Sequence, residues 1–437
     1  MSRRATLGLS LVLLLAAGLL LWWTLSGPTT QPPSRQSVVG LRDTVSIGWT
    51  NQHTAVVDAS NDADALRALG YVHGMTRPWT VTLWRRTALG RLSALFGTNL
   101  VPIDRHVRTL GFARHARRAY DHLSRSVQQS LKAYGQGLNA ALQSERVRRR
   151  APFLYFPLTP ERWQPWHALA VERLLAWIGT ALPTMQAASA VPQFLDADRR
   201  LRRWLHLHGW TRSLAWAARP RADTTRPILF ARHVLGNTAT PVIQELTLRR
   251  PGRPATLLAT LPGTLLFPTG TSGRRSWTYL LSSPLRLERR PIDTTDVQTR
   301  HERIRPANGD ERLVTVRQYD GGVLLRSPST DTTAVLRWPG FRPSSDLSHW
   351  TRMAQLAAPK SPVSSDVQLF RGLGLTVDST GTWTVHGEPP IVERGPNTIL
   401  IGRSPWARHQ ADALRAHRAH GLLRPRRWSV SDSSTWA

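Results

Sequence analysis

The side chains of this 437-residue chain that could perform chemistry are hydroxyls, histidines and carboxylates, because the sequence contains no cysteine. That absence excludes a disulfide, a thiolate metal site and a cysteine nucleophile. A serine hydroxyl is a poor nucleophile unless a base within hydrogen-bond reach takes its proton. Taken alone, Ser213 is one serine among many near a predicted helix end, and His233 is typical of a half-buried strand histidine.

Four further titratable residues are explained without chemistry. His73 and Asp104 lie in the segment 62–111, where we interpret them as packing and capping groups. Glu161 and Glu172 lie on a predicted helix, and we expect both to face solvent and to pair with nearby arginines. The sequence alone therefore singles out no catalytic group among these four.

The elements that must position such groups follow from hydrophobic periodicity. Helical spacing dominates the first half of the chain, and Pro78 indicates a break or kink in the first segment. The predicted helical segments are 62–111, 117–148, 161–180 and 195–210.

Short strands are predicted before and after the helices. The alternation of apolar and turn residues changes the pattern near residue 226 from helical to β-like. The predicted strands are Val45–Trp49, Thr54–Asp58, Pro227–Ala231, Val242–Leu248, Ala255–Leu261, Trp277–Leu281, Arg312–Tyr319, Val323–Arg326, Ala334–Trp338, Leu373–Asp378, Trp383–His386 and Thr398–Ile401. A helix is predicted to return at 405–420. Helices followed by strands indicate an α+β protein.

The composition describes a folded and strongly basic protein. Hydrophobic residues make up 41% of the chain and charged residues 20%, enough for a sizeable core. The net charge of +30 comes almost wholly from arginine, since Lys132 and Lys360 are the only lysines. Such a charge attracts anionic surfaces. The arginines are scattered and no nucleic-acid motif accompanies them, so we predict no specific nucleic-acid partner.

The N-terminus carries an uncharged, mostly apolar run over residues 5–25, preceded by Arg3 and Arg4. A run of this length suffices to cross a bilayer as a helix. The arginines would stay on the cytoplasmic side, with Trp22 and Trp23 at the opposite interface.

The segment that follows this run is a poor cleavage site for signal peptidase, so we predict an uncleaved signal anchor over 1–27. Residues 28–42 are rich in Pro, Ser, Thr and Gly and are predicted to form a linker. The body of the protein is then expected outside the cytoplasm, on the periplasmic or extracellular side, tethered to the membrane.

The segment 62–111 also carries an ordered set of residues that resembles a known family. The set is Asp64, Leu69, Gly70, Tyr71, Val72, His73, Arg77, Trp79, Arg85, Arg86, Gly90, Arg91, Leu92, Ser93, Phe96, Gly97, Asp104, Arg105, Arg108, Thr109, Leu110 and Gly111. It resembles the opening of the small-subunit region of the penicillin acylase (penicillin amidase) family, the N-terminal-nucleophile hydrolases that cut linear amides.

The resemblance implies a fold and a division of the chain. The expected fold is an N-terminal-nucleophile αββα sandwich. Residues 43–212 correspond to a helical small-subunit-like region. Residues 213–437 correspond to a β-rich large-subunit-like region that is truncated, so the fold is expected to be incomplete.

The resemblance also assigns a nucleophile. In the family, the precursor is cut just before a serine, whose hydroxyl attacks the amide carbon while its own α-amine serves as base. An α-amine titrates at about pH 8, so it can accept a proton at neutral pH. The family motif matches 211–216 and 226–235 here, with Trp216 and Pro227 in register. Ser213 is thereby the candidate nucleophile.

Several positions around this serine depart from the family pattern. Leu214 and Ser272 stand where an Asn is usual, and Leu373 replaces the Asn that helps to build the oxyanion hole. Loss of one oxyanion donor costs about 10²–10³ in rate. The usual His or Gln falls on Val234, with His233 one residue early. His233 is the weaker candidate, because one residue along a strand turns a side chain to the other face.

The calcium ligands of the family are also replaced. The matching positions hold Leu285 and Glu288, and one carboxylate provides too few oxygen ligands and too little negative charge for calcium. We therefore predict no metal and no other cofactor.

Two functions remain open, with a third behind them. The first is an amidohydrolase that acts on a small-molecule linear amide by acyl transfer through Ser213, with activity reduced or lost by the replaced positions. The second is a catalytically inactive, membrane-tethered relative that serves as a binding or scaffold protein. The third is an envelope protein whose basic surface holds anionic polymers.

Overall fold

The structure is a computed structural model that describes most of the chain up to residue 343 and four strands beyond it. The described ranges are 37–51, 54–150, 161–180, 192–207, 214–218, 228–232, 242–272, 275–280, 285–289, 294–319, 321–326, 333–343, 374–378, 383–386, 391–395 and 398–402, with residues 12, 14–16, 18, 19, 153, 155 and 156. Ser213, His233 and the predicted helix at 405–420 lie outside them.

Helices fill the first half of the chain, as the periodicity predicts. They are α1 (Asp62–Thr76), α2 (Pro78–Ala88), α3 (Ser93–Phe96), α4 (Val101–Leu110), α5 (Phe112–His122), α6 (Arg125–Leu142), α7 (Glu145–Arg148), α8 (His167–Ile178) and α9 (Pro192–Leu205). Short 3₁₀ turns lie at Thr98–Leu100, Thr294–Asp296 and Pro339–Phe341. Pro78 marks the start of α2, the first-turn position at which a missing N–H costs nothing.

The predicted helix over 117–148 is wrong as a single element. The backbone of Leu123 is extended and separates α5 from α6, which Ser124 precedes as N-cap. The stripe itself is confirmed for α6, where Leu131, Tyr134 and Leu138 are fully buried. A continuous apolar stripe therefore did not reveal a break between two helices that share a core.

Helices α1 and α6 form the centre of the helical region through direct backbone contact. A Cβ added at Gly70 would lie 2.1 Å from the carbonyl oxygen of Tyr134, and one at Gly137 would lie 1.8 Å from that of Arg67. Only glycine permits such an approach at these positions. The two helices consequently pack as one unit.

The strands form three sheets. They are β1 (Ser46–Trp49), β2 (Ala55–Asp58), β3 (Leu214–Ala218), β4 (Ile228–Arg232), β5 (Gln244–Arg250), β6 (Arg253–Thr260), β7 (Thr269–Thr271), β8 (Arg275–Tyr279), β9 (Arg286–Arg289), β10 (Gln298–Ile304), β11 (Arg312–Tyr319), β12 (Gly322–Arg326), β13 (Thr333–Arg337), β14 (Gly374–Asp378), β15 (Trp383–His386), β16 (Ile391–Gly395) and β17 (Thr398–Gly402). The sheet orders are β1-β2-β5-β6-β7-β8-β14-β15, β10-β11-β12-β13-β9 and β16-β17-β3-β4.

The largest sheet joins the two ends of the described chain. Strand β2 pairs in parallel with β5, although almost 200 residues separate them, and helix α1 packs against both strands. Strands β3 and β4 of the four-stranded sheet contact β14 and β8 of the large sheet. The described chain is thus a mixed helix and sheet protein, in which a helical layer and a second sheet both contact the large sheet.

Glu161 and Glu172, both expected to face solvent, differ in burial. Glu172 is fully buried, so its predicted position on a solvated face is wrong, whereas Glu161 is half exposed and does contact arginines.

Most of the run predicted as an anchor lies outside the described residues. Within the described part of the chain, no helix combines the length and the apolarity that a membrane crossing requires.

A buried hydrogen-bond network ties α1 and α6 to the large sheet at His73. The hydroxyl of Thr260 donates to the carbonyl of Gln244 (2.7 Å), so it must accept from His73 Nε2, also at 2.7 Å. His73 Nδ1 is then the acceptor for the Tyr134 hydroxyl at 2.8 Å, and the Tyr134 oxygen accepts the Gly263 N–H at 2.9 Å. The neutral imidazole thus satisfies every partner, as a buried polar group must.

Burial lowers the pKa of His73 to about 3, and it likewise lowers that of His115 to about 2 and that of His167 to about 3. The unfolded chain, with histidine pKa values of about 6.5, therefore binds more protons than the folded chain between about pH 3 and 6.5. The contribution of these histidines to the free energy of unfolding is therefore largest above about pH 6.5, and it falls as the pH drops through this window.

We predict that His73→Gln removes part of this pH dependence. A single histidine whose pKa is about 3 in the folded state should cost about 2 kcal/mol of stability between pH 7 and pH 5. Urea unfolding at both pH values should therefore show a smaller loss in the variant, which is also less stable at pH 7. The exposed His301→Gln serves as control, and an equal loss in all three proteins would contradict the prediction.

Candidate functional site

Strands β3 and β4 lead to the two residues that the sequence analysis selected. Strand β3 begins one residue after Ser213, and β4 ends one residue before His233. The strands are antiparallel, and their end pair in this direction is Leu214 with Arg232. The structure therefore brings together the strand ends adjacent to both candidates, which themselves lie outside the described residues.

The two faces of β3 differ in burial. Ala215 and Ala217 are fully buried, whereas Trp216 between them is half-buried and meets Phe230 across the pair, with ring centroids 6.4 Å apart. Ala215 pairs with Ala231 of β4. Because strand side chains alternate, odd-numbered residues of both strands share the face on which Ala215 is buried.

Strand β3 has neighbours on both edges. Besides β4, it pairs with β17, where Leu214 meets Gly402. Leu214 is thus the first residue of a central strand. Leu214 replaces the Asn of the resembled motif, while Val234 and Leu373, two other departures, lie outside the described residues.

Ser272 is the replaced position that the structure describes best. It follows β7 directly, it is 1% exposed, and its hydroxyl has no hydrogen-bond partner among the described residues. A buried hydroxyl without a partner costs free energy, so this residue does not stabilise the fold by hydrogen bonding.

The residues at the resembled calcium positions do not fit calcium. Leu285 offers no oxygen in its side chain, and the Glu288 carboxylate lies 3.2 Å from Nε of Arg337 in an ion pair between β9 and β13. Elsewhere among the described residues, no three His, Asp or Glu side chains converge as metal ligands do.

Asp104 has the capping role that the sequence analysis gave it. Its carboxylate accepts the backbone N–H groups of Leu92 and Ser93, both at 2.8 Å, and the Ser93 hydroxyl at 2.5 Å. Burial raises the pKa of Asp104 despite these hydrogen bonds. The Asp104 carboxylate thus caps the start of α3.

Sequence analysis missed a second buried carboxylate, Asp198 of α9. It accepts from the indole of Trp177 at 2.6 Å and from Nε of Arg202 at 2.8 Å, and it lies 3.2 Å from His106 Nε2. Burial alone would raise the pKa of Asp198, but Arg202 and the His106 hydrogen bond hold it well below its usual range. The four-residue spacing of Asp198 and Arg202 was the signal that could have found the pair.

Comparison with known proteins is consistent with this architecture. The model of the penicillin amidase family matches residues 44–402. Penicillin acylase 2 proenzyme of Pseudomonas sp. (strain SE83) is 37% identical over 170 residues, which are 36% of this chain and 21% of that protein. Acyl-homoserine lactone acylase QuiP of Pseudomonas syringae pv. tomato is 30% identical over 161 residues, 37% of this chain and 20% of that one.

A solved structure gives a weaker match. The thermostable penicillin G acylase from Alcaligenes faecalis, in its tetragonal form, covers 37% of this chain and 91% of its own at 18% identity, with a TM-score of 0.27. That score is too low to establish a shared fold. The chain spans about a fifth of the length of the curated relatives it matches. Since the family model nevertheless matches most of the chain, this protein belongs to the penicillin amidase family.

Proposed function

We propose that this protein is an amidohydrolase whose nucleophile is Ser213, freed by cleavage of the bond between Arg212 and Ser213. The serine hydroxyl attacks the carbonyl carbon of a linear amide while the new α-amine accepts its proton. The C–N bond of the tetrahedral intermediate then breaks, the α-ammonium gives its proton to the leaving amine, and an acyl-enzyme ester remains. Water then releases the acid. Its curated relatives are named as acylases of penicillin and of acyl-homoserine lactone, and we extend to this chain the class of small-molecule linear amides.

The observation that carries this proposal is the register of β3 and β4. Leu214 lies opposite Arg232, and we propose that the pairing continues by one residue, which would bring Ser213 opposite His233. Directly opposite residues have Cβ atoms about 4.5–5.5 Å apart, which lets the two side chains form a hydrogen bond. Both would share the face of the buried Ala215, whereas Val234 would face the other way.

This register changes the role that we assign to His233. The family frame placed the polar partner of the nucleophile on Val234 and made His233 the weaker candidate. The proposed continuation of the strand pairing favours His233 instead, since His233 would then share a face with Ser213. We propose that His233 accepts a hydrogen bond at the nucleophile and orients it.

The layers of the structure support an N-terminal-nucleophile sandwich. Helix α1 packs on the eight-stranded sheet, and β3 and β4 of the four-stranded sheet contact that same sheet. We propose that these are the first helical layer and the two central sheets of the sandwich. The boundary between the small-subunit-like and large-subunit-like regions stays at 212–213.

We also retain the membrane anchor over 1–27 and the linker over 28–42 as proposals, with the body of the protein outside the cytoplasm. The support is the uncharged apolar run and the arginines that precede it. In this proposal the N-terminal segment is inserted in a membrane, which is its binding partner.

A second candidate function is an inactive relative that keeps the fold as a binding or scaffold protein. It is favoured by Ser272, whose buried hydroxyl makes no hydrogen bond to the described residues at a position where the family has an Asn. Leu373 also favours an inactive relative, since leucine cannot donate a hydrogen bond to an oxyanion. Self-cleavage distinguishes the two candidates.

We predict that the purified 48.9 kDa chain splits into residues 1–212 and 213–437 on a denaturing gel. The fragments should elute together from a native column, because β2 pairs with β5 and His73 bonds to Thr260 across the cut. Ser213→Ala should abolish the split, and N-terminal sequencing should find Ser213 first in the second fragment. An uncut wild-type chain would favour the scaffold function.

We predict unequal effects for two neighbouring substitutions. His233→Ala should lower the rate of self-cleavage or amide hydrolysis by about 10²-fold, the usual scale for a group that helps proton transfer. Val234→Ala should change the rate far less, since it lies on the opposite face. Circular dichroism checks that both variants fold. A larger loss in the Val234 variant would restore the family frame and reject the register argument.

A further inference from the structure

Three arginines contact Glu161, and a fourth arginine and a histidine lie beside them at the junction of α2, α5 and α8. Arg85, Arg86 and Arg91 come from α2 and the turn after it, Arg117 from α5 and His167 from the start of α8. We name these five residues the arginine cluster. The Arg117 guanidinium lies 4.4 Å from the centre of the Trp166 ring, and that ring lies 4.3 Å from the His167 ring.

The buried guanidinium groups of the cluster hold unused donors. Arg85 is 1% exposed, and among the described residues its side chain makes one hydrogen bond, from Nη1 to the Glu161 carbonyl at 2.6 Å. Its Nε and Nη2 have no partner among the described residues, and neither has Nε of Arg86. Trp163 lies under the Arg85 guanidinium at 5.7 Å and holds its plane without satisfying these N–H groups.

The start of α8 adds one side-chain donor, His167, whereas the backbone N–H groups of His167 and Ala168 already donate to the carbonyl oxygens of Gln164 and Pro165. His167 Nδ1 accepts the Gln164 N–H at 3.0 Å, so the neutral ring carries its proton on Nε2. No side chain caps this helix, and no acidic residue lies in its first turn. A helix N-terminus of this kind favours an anion.

Negative charge near the cluster is scarce. The Glu161 carboxylate is 43% exposed and lies 3.5 Å from Arg86 and 3.4 Å from Arg91, so both ion pairs are long and screened. Asp104 also acts on Arg86, but its oxygens accept hydrogen bonds from Leu92 and Ser93. Among the described residues, Arg85, Arg86 and Arg91 therefore share one exposed carboxylate, while the side chain of Arg91 is 47% exposed and opens the cluster to solvent.

We propose that the arginine cluster binds a phosphate group. A phosphate presents several acceptor oxygens and up to two negative charges, which suit forked guanidinium donors and a helix N-terminus together. Arg91 and Arg117 meet the ligand first from the solvent side. Glu161 competes with it for Arg86 and Arg91. The inference does not rest on the proposed amidohydrolase activity.

The test is calorimetric titration of the full-length protein with sodium phosphate at pH 7, against sodium chloride of equal ionic strength. We expect saturable binding at one site. Arg91→Gln should weaken it roughly tenfold, the scale of a charge-assisted hydrogen bond. Glu161→Gln should tighten it, because it removes the competing carboxylate. This opposite sign distinguishes a site from a general effect of folding.

The matched control is Arg317→Gln, which removes one exposed arginine from β11 in another part of the molecule. It should change the dissociation constant by less than about twofold, since distant surface charges are screened. Absence of saturable heat above the chloride reference would overturn the proposal. Equal weakening by Arg91→Gln and Arg317→Gln would overturn it as well, since only net charge would then matter.

Vesicles separate two sources of the same chemistry. The wild type, Arg91→Gln and Arg317→Gln are sedimented with phosphatidylcholine vesicles that contain phosphatidic acid. If only Arg91→Gln loses cosedimentation, a lipid headgroup occupies the site. If all three cosediment equally while Arg91→Gln loses the calorimetric signal, the site takes a free phosphate. Either result supports the phosphate site.

Discussion

Helix α1 is held between the helical region and the large sheet, and the folded chain depends on both contacts. On one side, Gly70 brings the helix against the backbone of α6. On the other, His73 donates to Thr260 of β6 and so fixes the helix to the sheet. The first turn is fixed too, since Asp62 pairs with Arg250 of β5 at 2.8 Å. Because Thr260 lies beyond residue 213, the same contacts would hold two fragments together after a cut there.

The excess of arginine shapes how charge is buried. Basic residues number 58 against 28 acidic ones, so carboxylates cannot pair with every guanidinium. Arg173, which is fully buried, donates to the carbonyl oxygens of Leu169, Gly340 and Arg342. Backbone carbonyls satisfy donors but bring no negative charge. At Arg85 one carbonyl satisfies Nη1 alone, and the Nε and Nη2 donors have no partner among the described residues.

Sequence patterns predicted those elements whose apolar residues are regular. Arg312–Tyr319 and Trp383–His386 were predicted to the residue, and the amphipathic stripe of α6 is buried as expected. Strand β10 was missed because its sequence, Gln298–Ile304, is mostly charged and polar. Its register comes from pairing with β11, not from its own side chains. Pairing of this kind is not encoded locally, so periodicity cannot find it.

The same limit applies to the candidate site. Alignment with the family motif along the sequence places the polar partner of the nucleophile on Val234, so His233 comes one residue too early. Strand pairing counts across two strands, and the pair Leu214 and Arg232 is adjacent in sequence to Ser213 and His233. Leu214 stands where the resembled motif has an Asn beside Ser213. We propose that His233 supplies a polar group there from a different position in the sequence.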